Sequence, residues 1–209
     1  MREHTDMITV IQAIYASNNK GIDVTSQAQS ILSGGNDDIT ASNSNFGDPD
    51  PGSKKYFIIF YTAPPLNNGN PIGLACAEGN TIDLVPSSGA PPYCSTPQQQ
   101  PLTTSSSSAV TVNRAVYGTG NNGLDVTAIC QALFNQGAFG SGTYTIQMSN
   151  AGFGGDPDSG PVKAFAMQYQ VYGGAPSFIG AQEGQTLNLP IGQQSAAEIV
   201  ATAIPAPVA

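Results

Sequence analysis

Two short segments concentrate the side chains best suited to chemistry. Asp48-Pro49-Asp50-Pro51-Gly52 and Asp156-Pro157-Asp158-Ser159-Gly160 each set two carboxylates on a tight turn. Paired carboxylates on a turn are the beginning of a calcium site, and Asp48, Asp50, Asp156 and Asp158 are the weak candidates for one here. Calcium takes about six to eight oxygens, so two carboxylates fall short unless the fold brings Glu78 or Glu183 to them. The alternative is structural: Asp accepts from the turn's own backbone, Pro fixes φ and Gly takes a positive φ. The structural role is the stronger reading, and no cofactor is expected.

Nucleophilic catalysis lacks its parts. His4 is the only histidine and lies in a polar terminal stretch, so a Ser-His pair, a Cys-His pair or a zinc site would rest on one poorly placed residue. Gly118-Thr119-Gly120-Asn121-Asn122-Gly123 spells the dinucleotide fingerprint between a strand pattern and a helical one. Leu124-Asp125-Val126 then separates those glycines from the start of the helix, where a pyrophosphate would have to sit. Gly and Asn at this density read instead as a turn. No catalytic residue is assigned, and the chain is expected not to be an enzyme.

The elements that carry these residues occur twice. In both copies an apolar strand pattern (Ile8 to Tyr15; Val110 to Tyr117) leads to a turn and then to Asp23-Val24-Thr25 or Asp125-Val126-Thr127. Thr25 and Thr127 are the expected N-caps of short helices whose apolar faces are Val24, Ala28, Ile31, Leu32 and Val126, Cys130, Leu133, Phe134. A weak strand, the Asp-Pro turn and an aromatic strand follow, and each copy closes with Glu-Gly-x-Thr-(Ile/Leu)-x-Leu before Pro86 or Pro190. Such internal similarity implies two related domains. Short strands with Gly, Pro and Asn turns and one brief helix per copy make the expected fold mainly β, as two tandem antiparallel β-sandwich domains. The expected boundaries are 1–86 and 109–190 for the repeats, 87–108 for a linker rich in Pro, Gln, Ser and Thr, and 191–209 for an apolar tail.

Where the copies differ, the differences carry information. Phe57, Ile59 and Tyr61 match Phe165, Met167 and Tyr169, which marks the shared core face. Period-two geometry puts Tyr56, Ile58 and Phe60 on the opposite face, where the second copy has Ala164, Ala166 and Gln168, residues that suit a solvated or lightly covered surface. The three large side chains therefore need a cover: the linker, the other domain, or the segment Ile199, Val200 to Ile204 of a neighbouring molecule. Cys130 replaces Ala28 and reads as a core thiol, whereas Cys76 and Cys94 fall outside the repeat pattern. A Cys76–Cys94 disulfide is expected, and with it an oxidising compartment.

Composition narrows the function classes. Six Lys plus Arg stand against fourteen Asp plus Glu, with a net charge of -8, so a basic surface able to neutralise phosphates cannot be built and nucleic acid is not expected as a partner. No run approaches a membrane span, so membrane insertion is not expected. Neither is a secretory signal visible after Met1-Arg2-Glu3-His4, although a neutral, Gly- and Asn-rich surface is commoner outside cells; an extracellular or cell-surface location is expected, with the cytoplasm as the alternative. Thr103 to Ser108 offers hydroxyls for O-glycans.

Each copy also resembles the C-terminal domain of uncharacterised function found in the DnaJ-like proteins of subfamily C, member eleven. The shared features are Asp-Val-Thr, Phe-Gly-Asp-Pro or Phe-Gly-Gly-Asp-Pro, a Lys ahead of an alternating strand that ends in Tyr (Lys55 to Tyr61; Lys163 to Tyr169), and a final Leu-x-Leu near Pro. The resemblance implies a β-rich interaction module without catalytic residues, and no J domain precedes it here. The function expected from these observations is a self-assembling structural subunit of an extracellular filament or coat, a homo-oligomer with Tyr56, Ile58, Phe60, Ile199, Val200 and Ile204 at its interface. Its competitor is a tandem carbohydrate-binding module that binds glycans through loop Asp, Asn and Tyr residues.

Overall fold

A computed structural model describes residues 8–64, 66–87, 91–96, 110–136 and 143–190. The first half runs β1 (Thr9–Ala16), β2 (Gly21–Asp23), α1 (Thr25–Leu32), β3 (Asp38–Thr40), α2 (Asn43–Phe46), β4 (Tyr56–Thr62), β5 (Ile72–Ala77) and β6 (Thr81–Asp83). After β7 (Tyr93–Ser95) the second half repeats that order, with turns in place of α2, as β8 (Val110–Gly118), β9 (Asn122–Asp125), α3 (Thr127–Gln136), β10 (Thr143–Gln147), β11 (Ala164–Val171), β12 (Ser177–Gln182) and β13 (Thr186–Pro190). The protein is mainly β, and nearly every strand pairing is antiparallel.

Each half builds one main sheet and one two-stranded ribbon. The main sheets have the orders β2-β1-β4-β5 and β12-β11-β8-β9-β7, and the ribbons are β3-β6 and β10-β13. On one face of each main sheet lie the ribbon and the helix. In the first half Ala13, Tyr15, Phe57, Ile59 and Tyr61 meet Ala28 and Leu32 of α1 and Ile39 and Ile82 of the ribbon. In the second half Ala115, Tyr117, Phe165 and Met167 meet Cys130 and Phe134 of α3 and Ile146 and Leu187 of the ribbon. Alternation along β4 and β11 selects these residues, and burial of each large side chain contributes about 1.5–3 kcal/mol.

The opposite faces of the two main sheets pack on each other. Ile14, Tyr56, Ile58, Phe60 and Ala75 form one buried cluster with Val116, Ala164 and Ala166. Ala164 and Ala166 are 3% and 0% exposed, so of the two readings of that face, solvated or lightly covered, it is the covered one that holds, and the cover is complete. Small residues on one sheet leave room for large ones on the other, and so two unlike faces fill a single layer. Gln168, next on β11, accepts from the Gln12 side chain, while the Arg114 guanidinium lies 4.4 Å from the centre of the Phe60 ring.

Backbone contacts close both sides of this sheet pair. Ala75 on β5 donates to the Thr119 carbonyl at 2.9 Å, and Gly180 on β12 donates to the Ser17 carbonyl at 2.6 Å. The sheets approach so closely at β9 that a Cβ on Gly123 would run into the Gly73 carbonyl oxygen. The stretch expected as a linker also contributes: β7 lies parallel to β9, with Cys94 opposite Gly123, and extends the second sheet by a strand from outside either repeat.

Candidate functional site

The Asp-Pro turns and the strands around them form the same polar cluster in each half. Its geometry begins at a glycine with positive φ, Gly47 at 83° and Gly154 at 82°, which sends the preceding Phe inward and the following Asp outward. Phe46 stacks on Phe57 with ring centres 4.9 Å apart and leans on Tyr15 at 5.3 Å; Phe153 does the same with Phe165 at 5.4 Å and Tyr117 at 4.8 Å. A lysine from the residue before the aromatic strand enters the cluster. Lys55 Nζ is 2.7 Å from Asp48 Oδ1 and 3.9 Å from Glu78 Oε2, and Lys163 Nζ is 2.8 Å from Asp156 Oδ1 and 3.5 Å from Glu183 Oε2. Both lysine side chains are 3% exposed.

Further hydrogen bonds tie the cluster together. Asp50 and Asp158 donate their backbone N–H groups to Asp48 Oδ1 and Asp156 Oδ1, both at 3.1 Å. Ser17 donates to Asp50 Oδ2 at 2.5 Å, and Thr119 to Asp158 Oδ2 at 2.6 Å. Tyr15 donates to Asn43 Oδ1 at 3.0 Å, Tyr117 to Asn150 Oδ1 at 2.9 Å, and the Asn43 amide donates in turn to Asp48 Oδ2 at 3.2 Å. Lys55 and Lys163 donate their backbone N–H groups to Glu78 and Glu183.

Titration follows from these contacts. The hydrogen bond from Lys163 holds Asp156 below the usual carboxylate range. Burial pulls the Lys163 ammonium down, but its bonds to Asp156 and Glu183 outweigh burial and raise it. Burial, with the Glu78 carboxylate beside it, raises the Tyr15 phenol; burial and Glu183 do the same to Tyr117. The Ser17 hydroxyl, with Ser53 and Asn19, holds Asp50 low.

The four turn carboxylates considered as calcium ligands are thus distributed differently from a metal site. Glu78 and Glu183 do come to Asp48 and Asp156, yet the cation between the carboxylates is a lysine ammonium of the chain itself. Asp50 and Asp158 turn away to Ser17 and Thr119. Sequence reasoning passed over Lys55 and Lys163 as site residues, although each precedes the strongest strand of its copy. A separate acidic group, Asp37, Asp38 and Asp83, has ligand atoms within 4.8 Å of one another; burial, with the Asp37 and Asp38 charges, raises Asp83.

Three expectations need correction. The Cys76–Cys94 disulfide is not formed, and all three thiols are free. Pairing of β7 with β9 commits Cys94 to that sheet edge, its Sγ 3.9 Å from the Ser95 carbonyl, while Cys76 faces Phe57 across β4 and turns its Sγ to the Asn80 carbonyl at 3.8 Å. Burial pushes the Cys76 thiol up to about 12 and the Cys94 thiol up to about 11, and it raises Cys130 as well, so none is a thiolate near neutral pH. Tyr56, Ile58 and Phe60 are 3%, 0% and 2% exposed, covered by the second half, which leaves them no face to offer a neighbouring molecule; Ile199, Val200 and Ile204 lie outside the described residues. Thr25 does not cap α1: Val24 occupies the cap position, Asp23 Oδ1 accepts from Thr25 N at 2.8 Å, and the Thr25 hydroxyl accepts from Ala13 N of β1 at 2.9 Å. Thr127 makes the matching bonds to Asp125 and Ala115.

A cleft of about 420 Å³ opens where the halves meet, bordered by Tyr56, Asn80, Thr81, Asn121 and Gln182. It is open to solvent, and its lining mixes Lys54 and Lys163 with neutral polar side chains and small apolar ones. Among the described residues no helix is long and apolar enough to cross a membrane. No protein-family model, no curated protein and no solved structure matches the chain, so the resemblance to the DnaJ-like domain rests on the motifs quoted above.

Proposed function

We propose that the protein is a non-enzymatic structural subunit that self-assembles into an extracellular filament or coat. The observation that carries this reading is how the repeated polar residues are used. Lys, Asp, Glu, Tyr, Asn and the Ser17 or Thr119 hydroxyl recur in both halves with nearly equal distances, and each finds its partner within the chain. Residues kept for binding or catalysis would leave unfilled valences facing an opening; these rigidify two turns and tie them to the sheets. A low-charge surface suits close packing of subunits, since few ions need to be desolvated. With Tyr56, Ile58 and Phe60 turned inward, assembly falls to the outer surface, where Ile11, Tyr93, Leu133, Val162 and Tyr172 are exposed, and to the apolar 191–209 segment. Light scattering and electron microscopy over a range of concentration and salt test the reading: concentration-dependent filaments or sheets are expected, and a persistent monomer under all conditions overturns it.

The cleft between the halves favours one second reading, a carbohydrate-binding module. Asn80, Thr81, Asn121 and Gln182 offer the donors and acceptors that sugar hydroxyls need, with Val162 at the rim for an apolar sugar face. Glycan-array binding abolished by Asn121→Ala together with Thr81→Ala supports it, and an array without signal removes it.

A further inference from the structure

The geometry points to a covalent bond in each half: an intramolecular amide between Lys55 Nζ and Asp48 Cγ, and its counterpart between Lys163 Nζ and Asp156 Cγ. Each amine already touches the carboxyl it would join, at 2.7 and 2.8 Å. Each is a lysine side chain 97% removed from solvent, where its alternatives are few. Held in contact on rigid strands, amine and acid react as if at very high effective concentration.

The steps balance without any added reagent. Within the ion pair the ammonium returns its proton to the Asp carboxylate, which gives a neutral amine and a carboxylic acid. The Nζ lone pair then attacks Cγ, and the tetrahedral centre is steadied by the Asp50 or Asp158 backbone N–H that already points at Oδ1. Glu78 or Glu183, 3.9 and 3.5 Å from the amine, takes one Nζ proton and delivers it to the departing hydroxyl. The C–O bond breaks, one water leaves, and an amide remains. Asp48 and Asp156 are 33% and 36% exposed, so that water has a way out.

Two forces oppose each other in the first step. At Lys163, attraction to Asp156 and Glu183 favours the charged form, while burial disfavours it. The neutral pair is therefore the minor form, but an amide once formed is not readily hydrolysed, and the reaction need occur only once per molecule. The usual competing dehydration of aspartate, cyclisation onto the next backbone nitrogen, is closed here. Both Asp48 and Asp156 are followed by proline, which has no N–H to attack with.

Intact mass of the folded full-length chain, reduced beforehand to remove any disulfide contribution, tests the proposal without reference to assembly or glycan binding. The chain is expected to be lighter than its sequence by two waters, with branched Lys55–Asp48 and Lys163–Asp156 peptides after digestion. Lys55→Arg and Lys163→Arg, which keep the charge, should each restore one water, and the double variant both. Glu78→Gln with Glu183→Gln should fold, as judged by circular dichroism, yet keep the full sequence mass. A folded wild-type chain at its full sequence mass after prolonged incubation overturns the proposal, as does a deficit that survives in the double Lys→Arg variant.

Discussion

Asp50 shows how one residue of the turn is tuned and what that implies for stability. Its carboxylate accepts from Ser17, Ser53 and Asn19, and these bonds hold its folded pKa below the unfolded value. A depressed carboxylate stabilises the fold above its unfolded pKa of about 4 and loses that contribution as pH falls through the lower, folded value. Asp50→Asn removes the titration while keeping the shape, so its unfolding midpoint in urea should fall less steeply than the wild type's as pH drops below about 4. An unchanged acid limb would show that other carboxylates dominate it. The residue types of this cluster were legible in sequence, since an Asp-Pro-Asp turn followed by Gly announces a capped turn. The lysines were not, because their role depends on a strand start folding back over a turn, and no local spacing encodes that.

At the scale of elements, the first strand of each half borrows a hydrogen bond from a helix. Ala13 N, on a residue with no exposure, donates to the Thr25 hydroxyl, and Ala115 N to that of Thr127. Thr25→Val keeps the volume but leaves the buried N–H without an acceptor, which should cost about 1–3 kcal/mol in chemical denaturation. Thr25→Ser, which keeps the hydroxyl, should recover most of the loss. The helices and main strands could be read from periodicity, and β4 and β11 are the clearest cases. The threonine role could not, because Ser or Thr at the start of a helix suits both an N-cap and a bond to a distant strand. β7 escaped for another reason: three residues in a Pro-rich stretch have no periodicity, and pairing with β9 alone makes them a strand.

For the whole molecule, the layer between the main sheets decides whether the halves are independent. Phe60 is 2% exposed within it, so Phe60→Ala should destabilise the protein by about 3–5 kcal/mol, and Gly123→Ala, which forces the backbones apart, by about 1–3 kcal/mol. Calorimetry should show a single unfolding transition in the wild type, with van't Hoff and calorimetric enthalpies in agreement. Two separate transitions would mean that each half is stable without the other. The sequence comparison between copies correctly raised the need for a cover over Tyr56, Ile58 and Phe60. It left three covers open, the linker, the other domain and a neighbouring molecule, because Ala164 and Ala166 look equally natural facing water or facing a bulky neighbour, and the paired sheets select the other domain.

The crossing backbone bonds, Ala75 to Thr119 and Gly180 to Ser17, have a further consequence for the chain as a polymer. Joined along a whole sheet face and at both sides, the halves behave as a dimer whose subunits happen to share a backbone, so continuity through residues 97–109 should be dispensable. A protease cut or a gene split there would give two fragments that find each other in solution. The first would carry β7 as an extra handle, a strand it can lay against β9 of the second. Co-expressed fragments should co-purify as a one-to-one complex, and deletion of Tyr93 to Ser95 should weaken their association without abolishing it.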